Sequence, residues 1–124
     1  MAAIAYLGRL DGKLDEENEE FCDLAKTYNL SEIEIPEALH NRSESEVLSL
    51  VRQLQYPRFA LILIREMFYF GYADGDLSDS KIMFISKVGL TLNIPIEKME
   101  QISSWVIRGI ELEEEGVEIF SDYS

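Results

Sequence analysis

Apolar residues recur along this chain at three- and four-residue intervals and almost never in strict alternation, which predicts helices rather than strands. Proline occurs only at 36, 57 and 95, each where an apolar periodicity stops. The first predicted helix, residues 2–10, is short and runs into an Asp11-Gly12 turn. Asp15 then reads as an N-cap, with Glu16, Glu17, Glu19 and Glu20 crowding the positive end of the next helix. Phe21, Leu24, Ala25 and Tyr28 fall on one face of it, and Asn29 to Pro36 closes it. Pro36 to Asn41 makes a further short helix or turn. Ser43, with Glu46 three residues later, has the spacing of a capping box and opens a helix to Tyr56 that carries Val47, Leu48, Val51 and Leu54.

Pro57 starts the most apolar stretch, Phe59 to Tyr72, broken only by Arg65 and Glu66. It is too short and too charged for a bilayer, which needs about 20 apolar residues, and it reads as the central buried helix. A second turn, Asp74-Gly75, follows. Ser78 is placed to cap the next helix, whose apolar face is Ile82, Ile85, Val88 and Leu92, and Asn93 to Pro95 ends it. The last helix, Ile96 to about Leu112, puts Met99, Ile102, Val106 and either Gly109 or Ile110 on one side, with Trp105 beside them completing the core. Glu111 and the run Glu113-Glu114-Glu115 oppose the dipole at a helix C-terminus, so the helix is expected to fray there and residues 116–124 to form a flexible tail. Val117, Ile119, Phe120 and Tyr123 would still let that tail dock.

Two stretches of this pattern are copies of one another. Tyr6-x-Gly8-x-x-Asp11-Gly12-x-Leu14 returns as Tyr69-x-Gly71-x-x-Asp74-Gly75-x-Leu77, and Phe21 and Phe84 keep the register. The expected fold is therefore all-α: a compact bundle of about six or seven helices built from two pseudo-symmetric helix–turn–helix repeats, residues 2–30 and 65–93. Residues 1–115 make a single domain, since the chain has no room for a second core.

Composition changes the picture mainly through sign. The 24 Asp and Glu outnumber the 11 Lys and Arg, giving a net charge of −13. The acids divide equally between residues 1–62 and 63–124, so the excess is not a detachable tail. Such a surface repels a phosphate backbone and argues against nucleic acid; basic proteins and divalent cations are the compatible ligands. Cys22 is the only cysteine and His40 the only histidine, which leaves little for a disulfide, a zinc site or a Ser–His triad. Cys22 reads as a small buried residue. The first residues lack the basic flank and long apolar core of a signal peptide, and a cytoplasmic location is expected.

The turns are the candidate site. Gly12 and Gly75 can take the left-handed backbone that a tight reversal needs. A calcium loop of EF-hand type does not fit: with Gly75 sixth, the first and twelfth ligands would be Phe70 and Lys81, and with Gly12 sixth they would be Leu7 and Asn18. Carboxylates of the two turns, Asp11 and Asp74 among them, could instead converge across a pseudo-two-fold axis, and three or four such oxygens would suit Mg, Ca or Mn. The plainer reading is that Asp11 and Asp74 accept backbone N–H bonds and brace the turns. Asp79-Ser80-Lys81 only partly echoes the Asp-Ser-Leu of an acyl carrier protein.

The two copies of apolar helix, Asp-Gly-x-Leu and capped acidic helix resemble the tellurite-resistance TerB-like family. Residues Phe70 to Ser78 give the closer match and Leu10 to Leu30 the second; together they span about residues 2–107. The resemblance implies an all-helical fold with acidic residues of both repeats grouped on one side, and a role in stress or tellurite resistance or bacterial defence through metal binding or scaffolding rather than catalysis. On it, Asp11 and Asp74 are the motif aspartates and Glu17 the acid that follows. In the second repeat that place falls at Ser80, beside Lys81, a departure that Asp76 or Asp79 would have to make good. The expected function is a non-enzymatic protein-interaction module; the alternative is an acidic inhibitor, of the immunity type, of a basic partner.

Overall fold

The structure is a computed structural model and describes residues 2–10, 19–27, 42–54, 57–73 and 77–121. Among these there are six helices and no strand: α1 (Ala2–Arg9), α2 (Glu19–Thr27), α3 (Glu44–Val51), α4 (Pro57–Ala73), α5 (Asp79–Thr91) and α6 (Ile96–Ser121). The all-α expectation holds. No described helix is long and apolar enough to cross a membrane.

Local chemistry sets most of the boundaries. The Ser43 hydroxyl accepts from the Glu46 amide at 3.2 Å while the Ser43 amide donates to the Glu46 carboxylate at 3.4 Å, so the capping box forms as its spacing predicts. Pro57 takes the first position of α4, where its missing N–H costs nothing. Ser78 caps α5 by accepting from the Lys81 amide at 3.3 Å. The end of α5 is a Schellman turn. Asn93 sits at φ 59°, its amide donates to the Leu90 carbonyl, and the Ile94 amide donates to the Gly89 carbonyl. Pro95 then prevents continuation.

The core gathers around α4, which packs against α1, α2, α5 and α6. Ile64 and Met67 are fully buried on it, and Leu7 of α1, Val47 of α3, Ile85 and Val88 of α5 and Val106 of α6 meet the same cluster. Burying side chains of this size contributes roughly 1.5–3 kcal/mol each, which outweighs the helix propensity of any single segment. Two glycines let elements approach closely. A Cβ on Gly71 would lie 2.5 Å from Leu77 Cδ1, and one on Gly89 2.6 Å from Met99 Cε.

Four expectations need correcting. Helix α3 ends at Val51 rather than running to Tyr56, and Leu54 beyond it is 38% exposed. The buried face of α5 is Lys81, Phe84, Ile85 and Val88, while Ile82 is 43% exposed. The helix is turned so that the Phe84 ring meets Tyr6 at 4.5 Å and the Lys81 ammonium reaches the Gly71 carbonyl near the C-terminal end of α4, where the helix dipole favours a cation. Trp105 does not complete the core; it is 58% exposed, one position round from buried Val106. Helix α6 also does not stop near Leu112 but continues to Ser121. The unfavourable dipole is a surface term of roughly 0.3–1 kcal/mol. Against it stand good helix formers and a tie to α4, where the Tyr69 hydroxyl donates to Glu113 at 3.4 Å.

The corresponding positions of the two sequence copies are not equivalent in burial. Leu7 and Phe70 are both buried, but Tyr6 is half-buried against Phe84 while Tyr69 is 47% exposed.

Candidate functional site

The acids of the two turns fall mostly beyond what is described: Asp11, Glu17, Asp74 and Asp76 lie outside the described residues. Asp79 is described. It is exposed at the first position of α5, just after the Ser78 cap, where a carboxylate favours the helix dipole. Among the described residues no three His, Cys, Asp or Glu side chains group as a metal site would require. The second turn is flanked by a cation of its own, because Lys81, only 4% exposed, places its ammonium 3.5 Å from the Gly71 carbonyl.

The chemistry-bearing surface that is described lies elsewhere, along the seam between α4 and α6. Two clefts open there, one on each side of the Tyr69 ring. The first, about 260 Å³, is walled by Trp105, Val106 and Gly109 of α6 against Arg65, Glu66 and Tyr69 of α4. The second, about 420 Å³, is walled by Tyr69 and Tyr72 against Ile110, Glu113, Glu114 and Val117. Both are half-open.

Electrostatics differ between the two. In the first, Arg65 Nη2 pairs with Glu66 at 2.7 Å, so the local charge is balanced. In the second, carboxylates stand without a cation among the lining residues. Partial burial, and next the charge and hydrogen bond of Glu113, push the Tyr69 phenol above its ordinary pKa, with a smaller push from Glu66. Tyr69 therefore stays protonated and can donate to Glu113 throughout the neutral range.

Beyond the seam, α6 carries apolar residues that touch little of the fold. Leu112 is 69% exposed, Val117 68%, Ile119 55% and Phe120 71%. Helical spacing places Trp105, Leu112 and Ile119 in one row, seven residues apart. Val106, Ile110, Glu113, Val117 and Phe120 form the adjoining row, which is buried at Val106 and open at Phe120. The three- and four-residue spacing of that second row was readable in the sequence. The acidic run interleaved with it reads as a helix stop in the sequence alone.

A further apolar cleft of about 390 Å³ lies where α1, α3 and α4 meet, lined by residues such as Ile4, Val47, Leu50, Leu54, Phe59 and Ile62. Its polar contribution among the described residues is Glu66.

Comparison of the chain with protein-family models, curated proteins and solved structures finds no match in any of the three. The functional reading therefore rests on the chain's own residues.

Proposed function

We propose that this chain is a non-enzymatic helical interaction module, of the kind its doubled Asp-Gly turns resemble in TerB-like proteins, and that its binding surface is the α4–α6 seam with the outer end of α6. One observation carries the reading. Four large apolar side chains, Leu112, Val117, Ile119 and Phe120, are each more than half exposed within a single helical stretch. Apolar residues gathered so densely on a surface mark an interaction site far more often than singly scattered ones do. Aromatic side chains at the seam, Trp105, Tyr69 and Tyr72, are residue types that dominate binding energy at protein interfaces.

The charge distribution favours a second reading within the same class, an acidic inhibitor of a basic protein. Four exposed acids, Glu111, Glu114, Glu115 and Glu118, fall on one side of α6 and form a continuous acidic surface there. Such a surface speeds encounter with a basic partner.

Selection of binders from a random-peptide display library tests the module reading. Enriched peptides that bind the native chain and fail on a Val117→Ser/Phe120→Ser variant support it. No enrichment, or binding indifferent to the variant, overturns it. A divalent cation held by Asp11 and Asp74, with Glu17, Asp76 or Asp79, is a separate proposal. If the site exists, Mg, Ca or Mn raises the melting midpoint of the native chain and not that of Asp11→Ala or Asp74→Ala.

A further inference from the structure

We infer that the partner of the α4–α6 seam is a basic amphipathic helix, which lays an apolar stripe along the outer end of α6 and sets a Lys or Arg side chain into the cleft between Tyr69 and Tyr72. The inference rests on the interaction-module reading and names the partner's chemistry. Exposed apolar area alone would accept any greasy surface. What narrows the choice is the placement of charge around it.

In helical projection the open apolar rows of α6, Leu112 with Ile119 and Val117 with Phe120, occupy a continuous face. Glu114 lies beyond one edge of that face and Glu115 beyond the other, while Glu111 and Glu118 stand on the opposite side of the helix. All four are exposed. A partner helix with basic residues flanking an apolar stripe matches both edges at once, which is the helix-in-groove mode with apolar anchors three and four residues apart. A second copy of this chain would bring the same carboxylates edge to edge and meet repulsion at each.

The cleft supplies the anchor. Glu113 stands in the middle of the apolar row, not at its edge, and is held by the Tyr69 hydroxyl at 3.4 Å. Two tyrosines and the carboxylates of Glu113 and Glu114 wall a space of about 420 Å³. Aromatic faces attract an ammonium or guanidinium, and a carboxylate completes its hydrogen bonds. An aliphatic stem would run beside Ile110 and Val117, as the long chains of Lys and Arg do over apolar surface. The neighbouring cleft does not compete for this role, because its acid is already paired with Arg65.

The test uses the full chain and a synthetic Leu/Lys amphipathic helix without tryptophan, read by the fluorescence of Trp105, the single tryptophan at the edge of the seam. Binding should shift the emission to the blue. Glu113→Gln/Glu114→Gln should weaken it about fivefold, the effect expected of two partly exposed charge contacts. Glu97→Gln/Glu100→Gln, at the opposite end of the same helix, removes the same charge and should leave the affinity unchanged. Circular dichroism confirms that each variant folds. Equal losses from the two pairs would reduce the effect to diffuse attraction by the net charge and overturn the inference. Equal binding of a Leu/Glu helix would also overturn it, as would self-association of the chain that covers Trp105. In those cases peptides enriched by display, apolar or acidic, would still sustain the module reading, so the two fail separately.

Discussion

Two glycines on α6 allow a direct check of how far that helix extends. A Cβ built on Gly109 or Gly116 meets nothing within 4 Å, so alanine at either place adds no contact and no clash. The remaining effect is conformational. Glycine in a helix interior is about 0.8–1 kcal/mol less favourable than alanine, much of it through the freedom glycine retains in the unfolded chain. Gly109→Ala and Gly116→Ala should each stabilise the protein by about 1 kcal/mol. They stand roughly 10 Å apart along the helix and share no partner, so the double variant should gain about 2 kcal/mol. Urea unfolding followed by circular dichroism measures this, and thermal midpoints should rise roughly 3–6 °C per substitution. Gly89→Ala is the control. It gains the same propensity but must push Met99 Cε away from 2.6 Å, and should fall at least about 1 kcal/mol below Gly109→Ala. A stabilising Gly109→Ala beside a neutral Gly116→Ala would place the outer end of α6 outside the cooperative fold. Neutral or destabilising results at both would refute the reasoning.

Other expectations follow from single contacts. Ser43→Ala removes the hydroxyl that accepts from the Glu46 amide, leaving the Ser43 backbone half of the capping box, and should cost about 1 kcal/mol in urea unfolding, with Ser43→Gly costing only a few tenths. Tyr69 should be a late-titrating member of the six tyrosines in an alkaline ultraviolet titration, absent in Tyr69→Phe and moved partly back in Glu113→Gln. Because the folded state raises its pKa above about 10, the stability it contributes is present below that pH and is lost as pH climbs through the raised value. Val117→Ser/Phe120→Ser should change the unfolding free energy by less than about 1 kcal/mol, since both side chains are mostly exposed; a loss of several kcal/mol would make them core residues.

Features fixed by a few adjacent residues were legible in the chain before its structure. The Ser43–Glu46 box, the Ser78 cap and the Asn93–Pro95 stop each need only their own neighbours, and each forms as the pattern implies. The central place of α4 was legible too, because no other segment is as uniformly apolar. What failed depended on distant partners. Ile82 and Phe84 are equally apolar, and only Tyr6 from α1 and the Gly71 carbonyl from α4 decide which side of α5 turns inward. Trp105 has the composition of a core residue but the rotation of α6 leaves it at the edge of the seam. Helix α6 outlasts its own unfavourable charges because α4 lies alongside, and that neighbour is invisible to a dipole argument. Of the predicted site, Asp79 takes a plain helix-start position, while Asp11, Glu17, Asp74 and Asp76 lie outside the described residues.

On the proposed reading the protein meets its partner through the α4–α6 seam rather than through the apolar cleft at α1, α3 and α4. Amide hydrogen exchange on the native chain, with and without a display-selected peptide, tests it most directly. New protection is expected at residues 110–120, with a weaker effect at residues 69–72 and none in α3. Protection centred on residues 47–54 and the start of α4, with α6 exchanging as before, would contradict it.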